Sequence, residues 1–515
     1  MSFSLPQPAY VLLGTFLLWR LLKNVVLART RNLNHIPTIG LCSKLPWPLD
    51  TLFYYAGLVE YTFRCHALMK EGYKKYTTYG IFKVPAADWM CVVSNREMIE
   101  DLRKAPADTL SFYAAVDIEL EVASTLGQNV TNHPYHLNVL RNQVTKNLGT
   151  LVPELREELG LSLDEFLEVP KTGEWKSVHV ASRFADVLGR SANRVYVGAE
   201  LCRDPGYIKL NVQHTNHVLK SAIILNMFSK LLKPAVSYWL RDVPKSIDRE
   251  MKYLHRLIDD RRQYLSSTYD GSPEKPNDLL MWLMEEAKGD EQSDRNLALR
   301  VLALNFAAIH TTSMSLGHAI YHVAADADLA RGLREEVEAV VSEFGWTKHS
   351  ISKLVKMDSF LRESQRVNGL GSLLMGRLAL KPFTFSNGVT VPVGTHLSVA
   401  IEAVHSDPTN YGDDVDEFKP LRFLACESQP LGDQQQQENR PLTSTSPEYL
   451  AWGHGSAACP GRFFASTVLK LALGQILMSY DVKTADGRRP ENMRFGKYTL
   501  PNPKAEVLFR RRESV

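Results

Sequence analysis

The chain has 515 residues, 44% apolar and 23% charged, an ordinary globular composition that excludes disorder or a polytopic membrane protein as its main state. Its 60 Lys and Arg against 57 Asp and Glu leave a formal net charge of +3, too near balance to point to nucleic acid or an acidic polymer as partner. Six cysteines (Cys42, Cys65, Cys91, Cys202, Cys426 and Cys459) lack CxxC pairing, which suits a reducing compartment and gives no support to a zinc ribbon.

Residues 1–19 hold no charged side chain, and the run from Ala9 to Trp19 is strongly apolar. Continued through Val25, Val26, Leu27 and Ala28, a helix over residues 1–28 reaches about 30 Å, enough to cross a bilayer with Arg20 and Lys23 snorkelling to the interface. A cleaved signal peptide fits less well, because positive charge (Arg20, Lys23, Arg29, Arg31) follows the apolar stretch rather than preceding it. The expectation is a single-pass anchor with the body in the cytosol, where the sequon Asn129-Val130-Thr131 is not glycosylated.

A basic, proline-punctuated hinge follows over residues 29–40, ahead of a body spanning 41–515. Apolar spacing predicts a helix over Tyr61 to Tyr76, and the alternation from Gly80 to Val93 predicts short strands. Helical periodicity dominates from Pro134 to Glu343, with breaks at Pro170 to Gly173, Pro205-Gly206, Pro244 and Gly271 to Asn277. Strand and turn signals return between Gly369 and Thr395, notably Ser386-Asn387-Gly388. Residues 427–447 are polar and biased in composition, and read as an exposed insertion. The fold class is mainly α with small β patches.

The segment Trp452-Gly453-His454-Gly455-Ser456-Ala457-Ala458-Cys459-Pro460-Gly461 carries the most chemistry. Its small residues let the backbone approach a flat macrocycle closely. The helical run Arg462 to Tyr480 puts Cys459 at a helix head, where backbone N–H groups and the positive dipole end favour a thiolate. A thiolate on iron favours O–O cleavage.

This segment resembles the haem-binding loop of the cytochrome P-450 superfamily, in which an aromatic residue, two glycines, the cysteine and a further glycine recur at these offsets. One departure stands out: Ala457 occupies the place, two before the cysteine, where the family usually has Arg or His. Three more segments fall in the family's order. Glu363-Ser364-Gln365-Arg366 resembles its ExxR element, and Phe418-Lys419-Pro420-Leu421-Arg422-Phe423 the segment supplying a second arginine, so the resemblance implies a structural triad of Glu363, Arg366 and Arg422. Ala307-Ala308-Ile309-His310-Thr311-Thr312 resembles the oxygen-activation segment of the long helix crossing the haem. There Ala308 leaves space for dioxygen and Thr311 bonds it and helps deliver protons. His310 stands where the family usually has Asp or Glu, and an imidazole also relays protons near neutral pH.

The resemblance further implies Arg141, with His136 as an additional donor, and Arg377 as partners of the haem carboxylates, beside the loop residues Trp452, Gly453, Gly455 and Gly461. It places pocket walls at Phe112, Tyr113, Phe306, Leu370, Leu373 and Leu374, with Gly369 and Gly371 leaving room for a bulky ligand, and a roof over Ser221 to Trp239. The implied protein is a haem b (iron protoporphyrin IX) monooxygenase of the endoplasmic reticulum membrane. It takes electrons from a separate NADPH-cytochrome P-450 reductase and acts with O2 on an apolar, polycyclic-sized substrate. The wording Ala-Ala-Ile-His-Thr-Thr and His133-Pro134-Tyr135-His136 most resembles fungal enzymes acting on terpenoids and other secondary metabolites. An isomerase or dehydratase of the same fold, and a noncatalytic haem-binding scaffold, are the alternatives.

Overall fold

The structure is a computed structural model that describes residues 33–44, 54–86, 88–226, 228, 232–266, 275–424 and 440–512. The expected anchor over 1–28, the first part of the hinge and residues 427–439 of the polar insertion lie outside these residues.

At the centre runs a 32-residue helix, Asp294–Ala325. Ser293 opens it by accepting the Asn296 N–H at 3.4 Å. Asp326 closes it and caps the next helix, Ala327–Phe344, by accepting from the N–H groups of Asp328 and Leu329. Among the described residues this is the one helix long and apolar enough to span a bilayer, and two-thirds of its most apolar window is buried in protein, as a core helix requires.

Helix Val180–Val197 packs along it, and Asn193 and Asn305 exchange two side-chain amide bonds of 2.9 and 3.1 Å across that contact. Both asparagines are fully buried, so the reciprocal pair satisfies groups that would otherwise be costly and fixes the register of the two helices. Helix Thr145–Leu167 backs Val180–Val197, and Arg462–Ser479 packs on both Thr145–Leu167 and the central helix. The main apolar core lies among these four.

The predicted break at Pro244 is instead a helix start: Pro244 lies in the first turn of Asp242–Ser266, where its missing N–H costs nothing. The β regions appear early and late, and they join. Strands Ile81–Pro85, Trp89–Val93, His396–Val399, Leu374–Ala379 and Leu110–Ser111 form one five-stranded sheet in that order. Smaller hairpins include Phe383–Thr384 with Thr390–Val391, turned at Gly388 (φ +85°), and Met493–Phe495 with Tyr498–Leu500.

Candidate active site

The cysteine loop is built before its helix. Gly453 and Gly455 take φ of +70° and +76°, a left-handed conformation that glycine adopts without a steric penalty. A Cβ on Gly455 would lie 2.3 Å from Arg103 Cγ, so this glycine serves packing as well as the turn. The Cys459 N–H donates to the Trp452 carbonyl at 2.7 Å, and the Trp452 indole N–H to the Leu442 carbonyl at 2.7 Å. Helix Arg462–Ser479 starts directly after Gly461. A Cβ on Gly461 would meet nothing within 4 Å, so the turn two residues beyond Cys459 is open at that point.

Burial pushes the Cys459 thiol up, against the pull of the Gly461 and Arg462 N–H groups and the Arg462 guanidinium. The helix head thus pulls the sulfur towards the thiolate, as the sequence leads one to expect, and burial works against it. A coordinated metal deprotonates such a thiol outright.

Two guanidinium groups grip the loop that carries Ala457. Arg141, in the π-helical turn Leu140–Val144, donates to the Ser456 carbonyl at 3.1 Å, and Arg462 donates to the Cys459 carbonyl at 3.0 Å and the Thr443 carbonyl at 3.2 Å. Sequence reasoning missed Arg462. Its signal was a cation in the first turn of a helix, where the dipole disfavours positive charge unless something else holds it.

Arg377 reaches the interior through a bulge. The pairing of Leu374–Ala379 with His396–Val399 slips between Leu374 and Arg377, where Met375 takes φ +58°. Arg377 as a whole is 5% exposed, and its guanidinium donates to the Gly376 carbonyl at 2.8 Å and sits 5.9 Å from the Phe112 ring. Among the described residues no carboxylate pairs with it, and burial pulls its pKa down. Phe112 packs edge-on against Tyr113, which in turn feels the charge of Arg141, so the two arginines flank one aromatic pair.

His136 is also buried, but it faces Arg300 of the central helix. Arg300 donates to its Nδ1 at 2.9 Å, to the carbonyls of Val130 and Asn129, and to Glu291. Burial and that cation push the imidazole down to about 3, so it is neutral and carries its proton on Nε2. Arg300 and Glu291 are a buried pair the sequence did not reveal.

Across the middle of the central helix Ala307 and Thr311 are exposed and Ala308, Met314 and Ser315 half-buried, while Ile309, Thr312, Ser313 and Leu316 are buried. One accessible stripe therefore crosses a buried helix. The Thr311 hydroxyl rests on the Ala307 carbonyl at 2.7 Å. His310 does not join it: its Nε2 lies 3.2 Å from the Val212 carbonyl of helix Pro205–Asn226, and burial lowers its pKa. The two residues diverge because adjacent positions on a helix point about 100° apart.

The expected pocket walls divide. Phe112 and Tyr113 stand together, and Phe306 packs among Val122, Leu126, Val218 and Val243. Leu370 is half-buried and Leu374 packs on the sheet core. Leu373 points into a separate core with Leu68 and Met69 of helix Tyr54–Tyr76, and is not a wall. Nor does Gly371 leave room for a ligand, since a Cβ there would lie 2.4 Å from the Lys497 carbonyl.

Glu363, Arg366 and Arg422 meet beneath the central helix. Arg366 donates to Glu363 at 2.7 and 2.8 Å and to the His405 carbonyl at 2.7 Å, while Arg422 reaches Glu363 at 3.1 Å and Asp414 at 2.6 Å. The pairs are internally satisfied, and their place is in the scaffold.

A buried cation without a carboxylate, a glycine-lined loop ending in a cysteine and an accessible stripe on a core helix together fit a planar macrocycle with acidic side chains, held through the Cys459 sulfur. Comparison with known proteins gives the same answer independently. The Cytochrome P450 family model matches residues 51–509. Cytochrome P450 monooxygenase 151 of Postia placenta is 38% identical over 94% of this chain and 95% of its own length. Cytochrome P450 monooxygenase CYP512U6 of Ganoderma lucidum is 29% identical over 94% and 93%, and cytochrome P450 monooxygenase paxP of Penicillium paxilli 30% over 87% of both. Matches this long, aligned through the cysteine loop, leave one assignment: the chain belongs to the cytochrome P450 family of haem-thiolate monooxygenases.

Proposed function

We propose that the protein uses haem b to insert one atom of dioxygen into an unactivated C–H bond of a bulky apolar substrate, a terpenoid or related fungal secondary metabolite. Electrons come from a separate NADPH-dependent reductase, and the residues ahead of the described body anchor it to the endoplasmic reticulum membrane. The observation that carries this reading is the stripe Ala307–Thr311–Ser315, accessible on a helix otherwise closed by packing.

Bound through the Cys459 sulfur, the haem supplies reductive activation of dioxygen. The protein's own groups do the rest. Arg377 and Arg141 hold the haem carboxylates, with the His136 Nε2–H as a further donor. The small side chains of Ala307 and Ala308 would leave room for dioxygen. The Thr311 hydroxyl, which rests on the Ala307 carbonyl, would turn to donate a hydrogen bond to dioxygen, and solvent water reaching the accessible stripe would return any proton it gives up. His310 positions the roof helix through the Val212 carbonyl. Phe112, Tyr113 and Phe306 offer an apolar surface that orients substrate without a charged partner.

The relatives are fungal monooxygenases, and the central-helix wording supports the terpenoid class. Microsomes containing the protein, fed a panel of cyclic terpenes under labelled dioxygen, test the reading. It expects NADPH-dependent products carrying one labelled oxygen; turnover of small charged molecules alone overturns it.

A further inference from the structure

The helix bearing Phe112 and Tyr113, Phe112–Leu120, buries one side chain, Ala115, and ends in a cluster of acids. Glu119 and Glu121 stand at its C-terminal end, where the helix dipole disfavours negative charge. Glu121, the last capping residue, takes φ +51°, a strained backbone for a residue other than glycine. Neither feature favours the helix by itself, yet each acid meets a lysine from another element. Glu119 pairs with Lys497 of the hairpin Met493–Leu500, and Glu121 with Lys233 at the start of helix Lys233–Trp239. Asn226, at the end of helix Pro205–Asn226, donates to the orphan carbonyls of Ile118 and Glu119 at 3.1 and 3.0 Å.

One partner is a fixed post. The Lys497 carbonyl accepts from Ser372 N–H at 2.7 Å, Gly496 N–H donates to Thr62 at 2.9 Å, and Thr499 N–H to Leu370 at 3.2 Å. The other partner is loose: helix Lys233–Trp239 has no buried side chain and exposes Tyr238 and Trp239. An element that buries nothing opens at low cost, so its tether decides how often it opens. The Glu121–Lys233 side chains are only 14% and 19% exposed, which shields the pair from solvent and makes it the firmer tie. Around the three elements lie exposed Ile118, Ile223, Leu232, Phe495 and Tyr498, the apolar rim expected where an apolar molecule enters.

Resting on the proposed apolar substrate, we infer that Glu121–Lys233 and Glu119–Lys497 form a two-point electrostatic latch over the entrance to the pocket. Closed, it ties helix Lys233–Trp239 and the hairpin to the C-terminal end of the helix that bears the aromatic pair. Open, it admits or releases the ligand without altering the pocket, so it sets rates and leaves affinity unchanged.

Stopped-flow binding of the apolar azole clotrimazole to the purified, haem-loaded protein tests this. Lys233→Met should raise association and dissociation alike by roughly fivefold over the wild type, with affinity unchanged. The exchanged pair, Glu121→Lys with Lys233→Glu, should return to slow rates. Lys233→Met rates equal to those of the wild type, with the carbon monoxide spectrum intact, overturn the latch. So does an exchanged pair that stays fast while the carbon monoxide spectrum is intact, because lost packing would then be the cause. Loss of azole binding by the wild type would instead refute the haem-pocket reading.

Discussion

Glu363 and Arg366 face each other through two parallel hydrogen bonds of 2.7 and 2.8 Å, with neither side chain more than 2% exposed. Removing one partner strands the other charge in the interior, a loss of roughly 3–5 kcal/mol. Glu363→Ala should therefore yield little haem-loaded protein, with a large fall in the urea midpoint of what is recovered. A variant of near wild-type stability would contradict the scaffold role.

Arg377 presents the opposite case, a buried cation held by a backbone carbonyl and a ring face. Arg377→Met removes a desolvated charge, so the haem-free protein should keep or raise its melting temperature. Haem transfer to apomyoglobin should meanwhile quicken by about tenfold or more, the value of one charge-assisted pair. Destabilised apoprotein with unchanged haem release would show that Arg377 serves only the sheet.

Several buried groups link stability to pH from both sides. Burial holds His136, His318 and His405 down to about 3 and His214 to about 4, against about 6.5 when unfolded. The unfolded chain then binds protons that the folded one refuses, and stability falls as pH drops below about 6.5, by roughly 1.2 kcal/mol per pH unit for each histidine near pH 5.5. Glu250 works the other way. Burial lifts it to about 8, so its contribution is present below about 4.5 and is lost as pH rises towards 8. Melting temperatures across pH 5 to 8 should fall at the acid end. Glu250→Gln should stabilise the protein at pH 8 and change little at pH 5.

Thr311 and His310 are neighbours in sequence with separate partners, the Ala307 and Val212 carbonyls. Thr311→Ala should leave NADPH consumption largely intact while product formed per NADPH drops about tenfold or more, the scale of a lost proton donor. His310→Gln keeps a donor for the Val212 carbonyl and should change that ratio by less than about twofold. The reverse pattern would return the relay to His310.

What the sequence made legible was local. The loop ending at Cys459, the three-residue offset of Glu363 and Arg366 and the turn at Gly388 are written in adjacent residues, and the structure builds each from those neighbours. What stayed hidden depends on chain segments that meet only after folding. Gly371 looked like space for a ligand because nothing nearby in sequence announces the Lys497 carbonyl filling it. Leu373 shares its composition with a pocket wall, and only its packing with Leu68 and Met69, some three hundred residues earlier, shows which way it points. His310 reads as a relay by type, and its direction was set by a helix a hundred residues earlier. Arg300 and Glu291 lie inside plain helical periodicity, which gives no sign of a buried ion pair.

The account rests on the Cys459 sulfur as the haem ligand, and the carbon monoxide difference spectrum of the reduced protein reads that bond directly. Wild type should show the red-shifted Soret band of a thiolate-ligated carbonyl complex, and Cys459→Ala should lose it entirely. An unaltered band in that variant would contradict the assignment.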